Sequence, residues 1–354
     1  MSTRPYTSIL LDLPPELRRD IFLKLFRSLT IKRGNHELAI LRVCRQIYHE
    51  AAPLALPNVR VHCRGNASVI ETLTKMGPAQ ITRLRYLFVG QCPIGFPLFP
   101  AAKDSQPGAM DERDHNSDGS NESDDGDDDD DGVRYFHLGA ILALFPGLQL
   151  DLLEVYCGPG GGSQTCFQTT DCFGSLLEAD GYRRLWMEAA AGDSDPWIDA
   201  PSTRRWKDAM TTNFQPYANW MVRIMLDSWD WEALHGPNED NMWKVAQEAG
   251  FTLVQNLQDD GYVRREEGHD SEDTIDVVVD RGDADFAVKP DDDRVLRCIE
   301  RNDFDESPEF FKANSDALKE LFRVKSWEAI KAMDGFDDGT VDCFGGDAVY
   351  MKRV

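Results

Sequence analysis

The sequence lacks the features that mark several large classes of protein. No apolar run approaches the length of about 18 residues that a membrane-spanning helix needs. No apolar stretch near the N-terminus resembles a secretory signal, because Pro14 and Pro15 interrupt it early. We therefore expect an intracellular protein, cytoplasmic or nuclear, that makes no membrane contact. The eight cysteines form no C-x-x-C pair, so we expect reduced thiols rather than disulfides or zinc ligands.

Motifs of catalysis are also missing. The seven histidines form no H-E-x-x-H pattern, and no G-x-S-x-G elbow occurs. The glycines at 158–162 follow an apolar stretch but match neither the dinucleotide pattern nor the P-loop, which needs a Lys before Ser or Thr. We predict a protein that is not an enzyme and needs no cofactor and no metal. One alternative stays open, a hydrolase or nucleotide-binding enzyme in which this glycine loop lies at a helix N-terminus facing a pocket.

Positive charge is scarce, and the negative charge is concentrated in two stretches. The chain carries a net charge of −24. Residues 111–132 hold twelve acidic residues against Arg113, and residues 259–293 hold fourteen against four basic residues. Segment 103–132 cannot bury apolar area, so we predict a disordered acidic insert there. Phosphate binding needs a concentrated basic surface, so we expect no nucleic-acid partner.

The remaining sequence predicts a mixed α/β chain of the α+β class. "SVIETLTKMG" has the pattern of a helix and "RLRYLFVG" that of a strand, and "FHLGAILALFPG" with "LDLLEVYC" repeats the pair across the acidic insert. Helix–strand units of this kind indicate an α/β layer, with a short leucine-rich-like stack as one possible form. Two units are too few to establish a solenoid.

Further elements are predicted towards the C-terminus. "YRRLWMEAA" and "PYANWMVRIMLDSWDWEAL" have apolar spacing typical of helices, and the tryptophans near the second favour packing on a sheet over a ligand cage. Hairpins are predicted around Asp260-Gly261, Gly282 and Gly345-Gly346. Ser307 followed by Pro308 predicts the start of a helix.

The most informative segment is "LLDLPPELRRDIFLKLFRSL", residues 10–29. Proline is favoured at the start of a helix, and an acidic residue such as Glu16 in the first turn is favoured by the helix dipole. We predict a short amphipathic helix from which Arg18, Arg19 and Asp20 face away. Its apolar residues are Leu17, Ile21, Leu25, Phe22, Phe26 and Leu29.

A second helix is expected to cover the first, because a short helix is marginal in water unless its apolar face docks. "HELAILRVCRQIYHEAAPLAL" supplies a second apolar face, and Pro53 is expected to stop or kink that helix. The residues on the covering face are Leu41, Cys44, Ile47, Tyr48 and Ala51.

These two segments together resemble the F-box, in the form common among fungal F-box-like proteins. "LLDLPPELRRDIFLKLF" followed by "LAILRVCRQIYHEAAPLAL" carries the resemblance, which covers residues 8–60. The chain then divides into a helical F-box-like region (8–60), a first helix–strand unit (61–102), the acidic insert (103–132) and the remainder of the α/β region (133–354). The later regions resemble the uncharacterised C-terminal parts of such fungal proteins.

The resemblance implies a function in protein–protein interaction. An F-box docks on the small adaptor subunit of a cullin-based ubiquitin ligase, and the remainder of the chain recruits a target protein for ubiquitylation. The alternative is an F-box-like interaction or scaffold protein with no role in a ligase. A separate interpretation is that the N-terminal segment is simply a helical hairpin that caps the α/β layer. The residues implied to contact the adaptor or support that surface are Leu13, Pro14, Pro15, Leu17, Ile21, Leu25, Leu41, Val43 and Cys44.

Overall fold

A computed structural model describes residues 9–32, 37–90, 93–98, 132–157, 172, 174–190, 221–227, 252–254, 274–282, 285–290, 293–299 and 307–339. Helices and strands are both present around a mixed sheet, which confirms the α+β class. Within these residues, no helix combines the length and the apolar character needed to cross a membrane. The glycines at 158–162, the turns at Asp260-Gly261 and Gly345-Gly346, and the tryptophans from 206 to 243 lie outside the described residues.

Helices occur along the whole of the described chain. A 3₁₀ helix, Glu37–Arg42, precedes the second of them. The α-helices are α1 Pro15–Arg27, α2 Arg45–Ala55, α3 Asn66–Thr74, α4 Pro78–Ile81, α5 Leu138–Leu142, α6 Pro308–Val324 and α7 Trp327–Lys331. Helix α6 begins as the sequence predicts, because the Ser307 side chain accepts a hydrogen bond from the Phe310 amide and Pro308 occupies the first turn.

The strands form one large sheet and one small antiparallel pair. They are β1 Thr30–Ile31, β2 Arg60–Cys63, β3 Tyr86–Gly90, β4 Ile94–Pro97, β5 Val133–Phe136, β6 Leu150–Cys157, β7 Tyr182–Ala190, β8 Met221–Asp227, β9 Thr252–Val254 and β10 Thr274–Asp280. The large sheet has the order β1-β2-β3-β6-β7-β10-β8-β9. Its first five strands are parallel neighbours, and β10 lies antiparallel between β7 and β8.

Strands β3 and β6 and helices α3 and α5 follow the predicted helix–strand units. Apolar side chains alternate along each strand, so one face of the sheet packs against the helices. Across the register, Val61, Leu87, Leu153 and Leu185 are neighbours in successive strands and are buried. The apolar core on this inner face also takes in buried side chains of helices α3 to α7. Sheet and helices thus share one apolar core.

Two predicted helices are wrong. "YRRLWMEAA" forms strand β7, and "MVRIMLD" of the second segment forms strand β8. In β7, Leu185 and Met187 are buried while Trp186 between them is half-buried, which is a period of two. Leu and Met favour helices in isolation, but pairing with β6 and β10 on either side outweighs that preference.

The hairpin predicted around Gly282 is also wrong. Strand β10 already has β7 and β8 as neighbours, so no edge remains for a returning strand. Gly282 turns the chain with a φ of +57°, which favours glycine. Residues 285–290 then cross the end of the sheet, where the Val288 amide donates to the Leu148 carbonyl at 3.0 Å.

The acidic stretch connects two strands that pair directly with each other. Strands β4 and β5 are antiparallel, with Pro97 opposite Val133, and the Leu98 amide donates to the Gly132 carbonyl at 3.1 Å. The pair is anchored to the C-terminal helices, since Tyr135 donates its hydroxyl to an Asp337 carboxylate oxygen at 3.0 Å. Residues 103–131 of the predicted insert lie outside the described residues. Because both ends meet at one hydrogen bond, the connection can vary in length without disturbing β4 and β5.

Replacing residues 99–131 by a short glycine-containing turn should leave the fold intact. Shortening a connection lowers its closure cost by about 0.6 kcal/mol for each halving, so the thermal midpoint should stay unchanged or rise. Calorimetry of the shortened and full chains measures this. A cooperative transition lost or lowered by several degrees would mean that the acidic stretch takes part in the fold.

Candidate partner-binding site

Helix α1 begins where the prolines predict. Pro14 is its N-cap, with an extended ψ of 145°, and Pro15 is its first residue. Glu16 in the first turn and Lys24 and Arg27 in the last turn complement the helix dipole. The Pro-Pro-Glu sequence therefore fixes where the helix starts, and with it which residues lie on each side.

The side chains of α1 divide into an inner and an outer row. Phe22 and Phe26 are fully buried, and their rings lie 6.4 Å apart. They pack with Ile47 and Ala51 of α2 in a small core that is separate from the sheet core. The second helix therefore packs on the first as predicted, and the contact is made through the two phenylalanines.

The outer row remains in solvent. Leu17 is 50% exposed and Ile21 is 41% exposed. Ile21 is one position before Phe22, and Leu17 is four positions before Ile21, so both side chains lie about 100° around the helix from the inner row. A four-residue spacing repeats in both rows, and the phenylalanine row is the one that docks.

Arg18 heads the inner row, so the expectation that it faces away is wrong. Its side chain is 6% exposed. Nε and Nη2 donate to the two carboxylate oxygens of Glu50 on α2, each at 2.7 Å, in a bidentate pair. Nη1 donates to the carbonyls of Leu11 at 3.2 Å and Leu13 at 2.5 Å. One guanidinium therefore ties the turn before the prolines, α1 and α2 together.

The charges of this pair stabilise each other. The hydrogen bond from Arg18, followed by one from Gln46, holds the pKa of the Glu50 carboxyl below its ordinary value of 4.5. The same hydrogen bond raises the pKa of Arg18. Both groups therefore stay ionised at neutral pH, and the connection between the two helices persists there.

The nine residues implied by the resemblance occupy two environments. Pro14, Pro15, Leu17, Ile21 and Val43 are exposed. Leu13, Leu25, Leu41 and Cys44 are half-buried.

Leu41 and Cys44 support the hairpin from within. Both pack against the small core between α1 and α2. Cys44 is also the N-cap of α2, where its sulfur accepts from the Ile47 amide at 3.5 Å. Pro53 does not stop this helix, which continues to Ala55. Of the second segment, Val43, at 67% exposed, is the predicted residue that reaches solvent most fully.

Two features of the site were not apparent in the sequence. Tyr48 was placed on the covering face of the second helix, but 52% of it is exposed. Within α2, the buried residues Ile47, Ala51 and Ala55 repeat every four positions, and Tyr48 lies about 100° around the helix from Ile47. The Arg18–Glu50 pair joins positions 32 residues apart, and no local pattern signals such a contact.

Exposed large apolar side chains concentrate in this hairpin and the turn before it. Among the described residues, five of the seven lie there and two lie elsewhere. Scattered single exposures are ordinary, whereas a concentration marks an interaction surface. The five are Ile9, Leu17, Ile21, Val43 and Tyr48, and the other two are Val295 and Val324.

Comparisons of the chain with protein-family models, with curated proteins and with solved structures found no match. Within the described part of the chain, no three His, Cys, Asp or Glu side chains come together as a metal-binding group. The side chains of Cys63, Cys157, Cys172 and Cys298 are buried. Burial raises the pKa of Cys63 to about 11, so this thiol stays protonated and unreactive at neutral pH.

Substituting Arg18 by Met should lower the thermal midpoint at neutral pH. The change leaves Glu50 without its cation and removes the donor that the Leu11 and Leu13 carbonyls share. Since the pKa of Glu50 is lowered in the fold, the ion pair stabilises fully above pH 4.5 and is lost as pH falls through the folded-state pKa. The gap between wild type and Arg18→Met should therefore narrow in acid, as differential scanning fluorimetry across pH would record.

The matched control is Arg19→Met, at a neighbouring exposed position. It should leave the thermal midpoint unchanged at every pH. An equal loss in both variants, or a gap for Arg18→Met that does not change with pH, would contradict the role assigned to the pair.

Proposed function

We propose that the chain is a substrate receptor of an F-box type ubiquitin ligase, in which the α1–α2 hairpin binds the adaptor subunit. The observation that carries the proposal is the exposure of Leu17 and Ile21, two of the nine residues that the F-box resemblance places at the adaptor contact. They stay in solvent although α1 and α2 pack closely through the inner row. An N-terminal hairpin that served only to cap the sheet would have no use for them.

The proposed mechanism is proximity. The receptor carries out no chemistry, and its two ends hold the adaptor and a target protein in one complex. Rigidity between the ends is then useful, because a defined geometry raises the effective concentration of the target at the transferring enzyme. Such rigidity is supported by β1, which follows α1 and pairs in parallel with β2 of the large sheet. The Arg83 side chain adds a second link by donating to the Pro53 carbonyl of α2 at 2.5 Å.

Exposed apolar side chains at the centre of an interface often account for much of its binding energy. Leu17→Asp with Ile21→Asp should therefore weaken binding of the purified adaptor by more than about tenfold. Because both positions are exposed, the thermal midpoint should stay near that of the wild type. Isothermal titration calorimetry with the adaptor measures the affinity.

Val324→Asp is a matched control, since Val324 is 58% exposed and lies on helix α6, far along the chain from the hairpin. This variant should bind the adaptor normally. If the wild-type chain fails to bind the adaptor, the ligase proposal is wrong and the alternative of an F-box-like scaffold is favoured. Undiminished binding by the double variant would show that the adaptor uses another surface.

A further inference from the structure

The outer face of the large sheet differs from the inner face in composition. Two rows of side chains run across this face, and each row consists of residues that are paired in neighbouring parallel strands. The first row runs through His62, Phe88, Glu154 and Trp186, and the second through Arg60, Tyr86, Leu152 and Arg184. Arg60 and Arg184 are exposed, and the other six are half-buried. The buried apolar side chains of the described helices α3 to α7 belong to the inner face instead.

Positive charge gathers at the β1–β3 end of this face. Lys32 follows β1 one residue after the Ile31–Val61 pair, which places it beside His62. Arg64 follows β2 and is exposed. Burial and then the charges of Lys32, Arg64 and Arg60 lower the pKa of His62 to about 4. His62 is therefore neutral at pH 7, and the local charge comes from the three cations.

Of those three cations, Arg60 forms an ion pair with an acidic group among the described residues of this face, and Lys32 and Arg64 do not. Glu154 is paired with Arg60 at 2.9 Å, and 47% of the Arg60 side chain remains exposed. Asp280 is paired with Arg184 at 2.7 Å. Lys32 and Arg64 have neither a hydrogen-bonded nor an ion-paired partner among the described residues. An excess of positive charge therefore remains around the His62 ring.

Aromatic surface lies between these cations. The His62 and Phe88 rings meet edge to face with centroids 4.6 Å apart. Tyr86 is the neighbour of Arg60 in the next strand and is half-buried. Flat, half-buried rings flanked by unpaired cations suit a ligand that brings both carboxylates and an apolar side chain.

We propose that the β1–β3 end of the outer sheet face is a docking surface for a short acidic segment of a partner protein, held by Lys32, Arg60 and Arg64 around the His62–Phe88 pair. Charge complementarity is the argument for this occupant. Residues 1–64, which supply the three cations of the surface, hold eleven basic against five acidic residues in a chain of net charge −24.

The same charges disfavour a nucleic acid or an anionic membrane. A polyanion needs a broad basic surface, and here Glu154 and Asp280 lie within the same two rows. A peptide with a few carboxylates meets only the local excess of positive charge. In a ligase receptor this would be the target-binding surface, and that assignment rests on the proposed function. Peptide binding itself is measured on the chain alone, so its outcome is separate from adaptor binding.

The test is fluorescence anisotropy with a labelled synthetic peptide in which several glutamates flank one phenylalanine. The full chain should bind this peptide, with an affinity that falls as salt rises. A peptide with glutamine in place of each glutamate should bind at least about tenfold more weakly. Lys32→Glu with Arg64→Glu should weaken the glutamate peptide by a similar factor.

Lys289→Glu with Lys331→Glu makes the same change in net charge at exposed positions on other elements. This control should bind as the wild type does, and thermal midpoints verify that all variants are folded. The proposal is overturned if the wild type does not bind the peptide, or if Lys32→Glu with Arg64→Glu has no more effect than the control. Tighter binding of a single-stranded DNA oligonucleotide or of phosphatidylserine vesicles would likewise overturn it.

Discussion

Helix α1 has two rows of apolar residues and one neighbouring helix against which to bury them. The phenylalanine row is buried between α1 and α2. Arg18 is the first residue of that row and determines which row is buried. At the observed rotation of α1, its guanidinium donates hydrogen bonds to Glu50 and to two backbone carbonyls. Rotating α1 to bury Leu17 would break those bonds and expose Phe22. The exposure of the outer row is therefore a consequence of how the inner row is held.

The two faces of the large sheet also differ from each other in composition. Its inner face supplies the core shared with helices α3 to α7, while its outer face carries half-buried rings and charged residues. Strand β1 joins the hairpin to this sheet, so the exposed row of α1 and the basic end of the outer face belong to one connected unit. The two surfaces that we propose for the adaptor and for an acidic partner segment thus differ in chemistry and lie on this connected unit.

Local patterns predicted several of the elements that lie before residue 158. Proline at the start of α1 and the apolar runs of β3 and β6 depend on neighbours in sequence, and all three elements lie where they were expected. Strands β7 and β8 were missed because their Leu and Met residues favour helices in isolation, and pairing with β10 decides their structure. The site shows the same limit: the outer row was identifiable, but Arg18 was misplaced because its partner is distant in sequence.

The central claim is that Leu17 and Ile21 are open in the free chain and covered by the adaptor in the complex. Hydroxyl-radical footprinting read by mass spectrometry tests this directly in the unmodified protein. We expect both residues to be oxidised in the free chain and protected when the adaptor is added, with Phe22 and Phe26 protected throughout. Resistance of Leu17 and Ile21 to oxidation in the free chain, or their continued oxidation in the adaptor complex, would contradict the account.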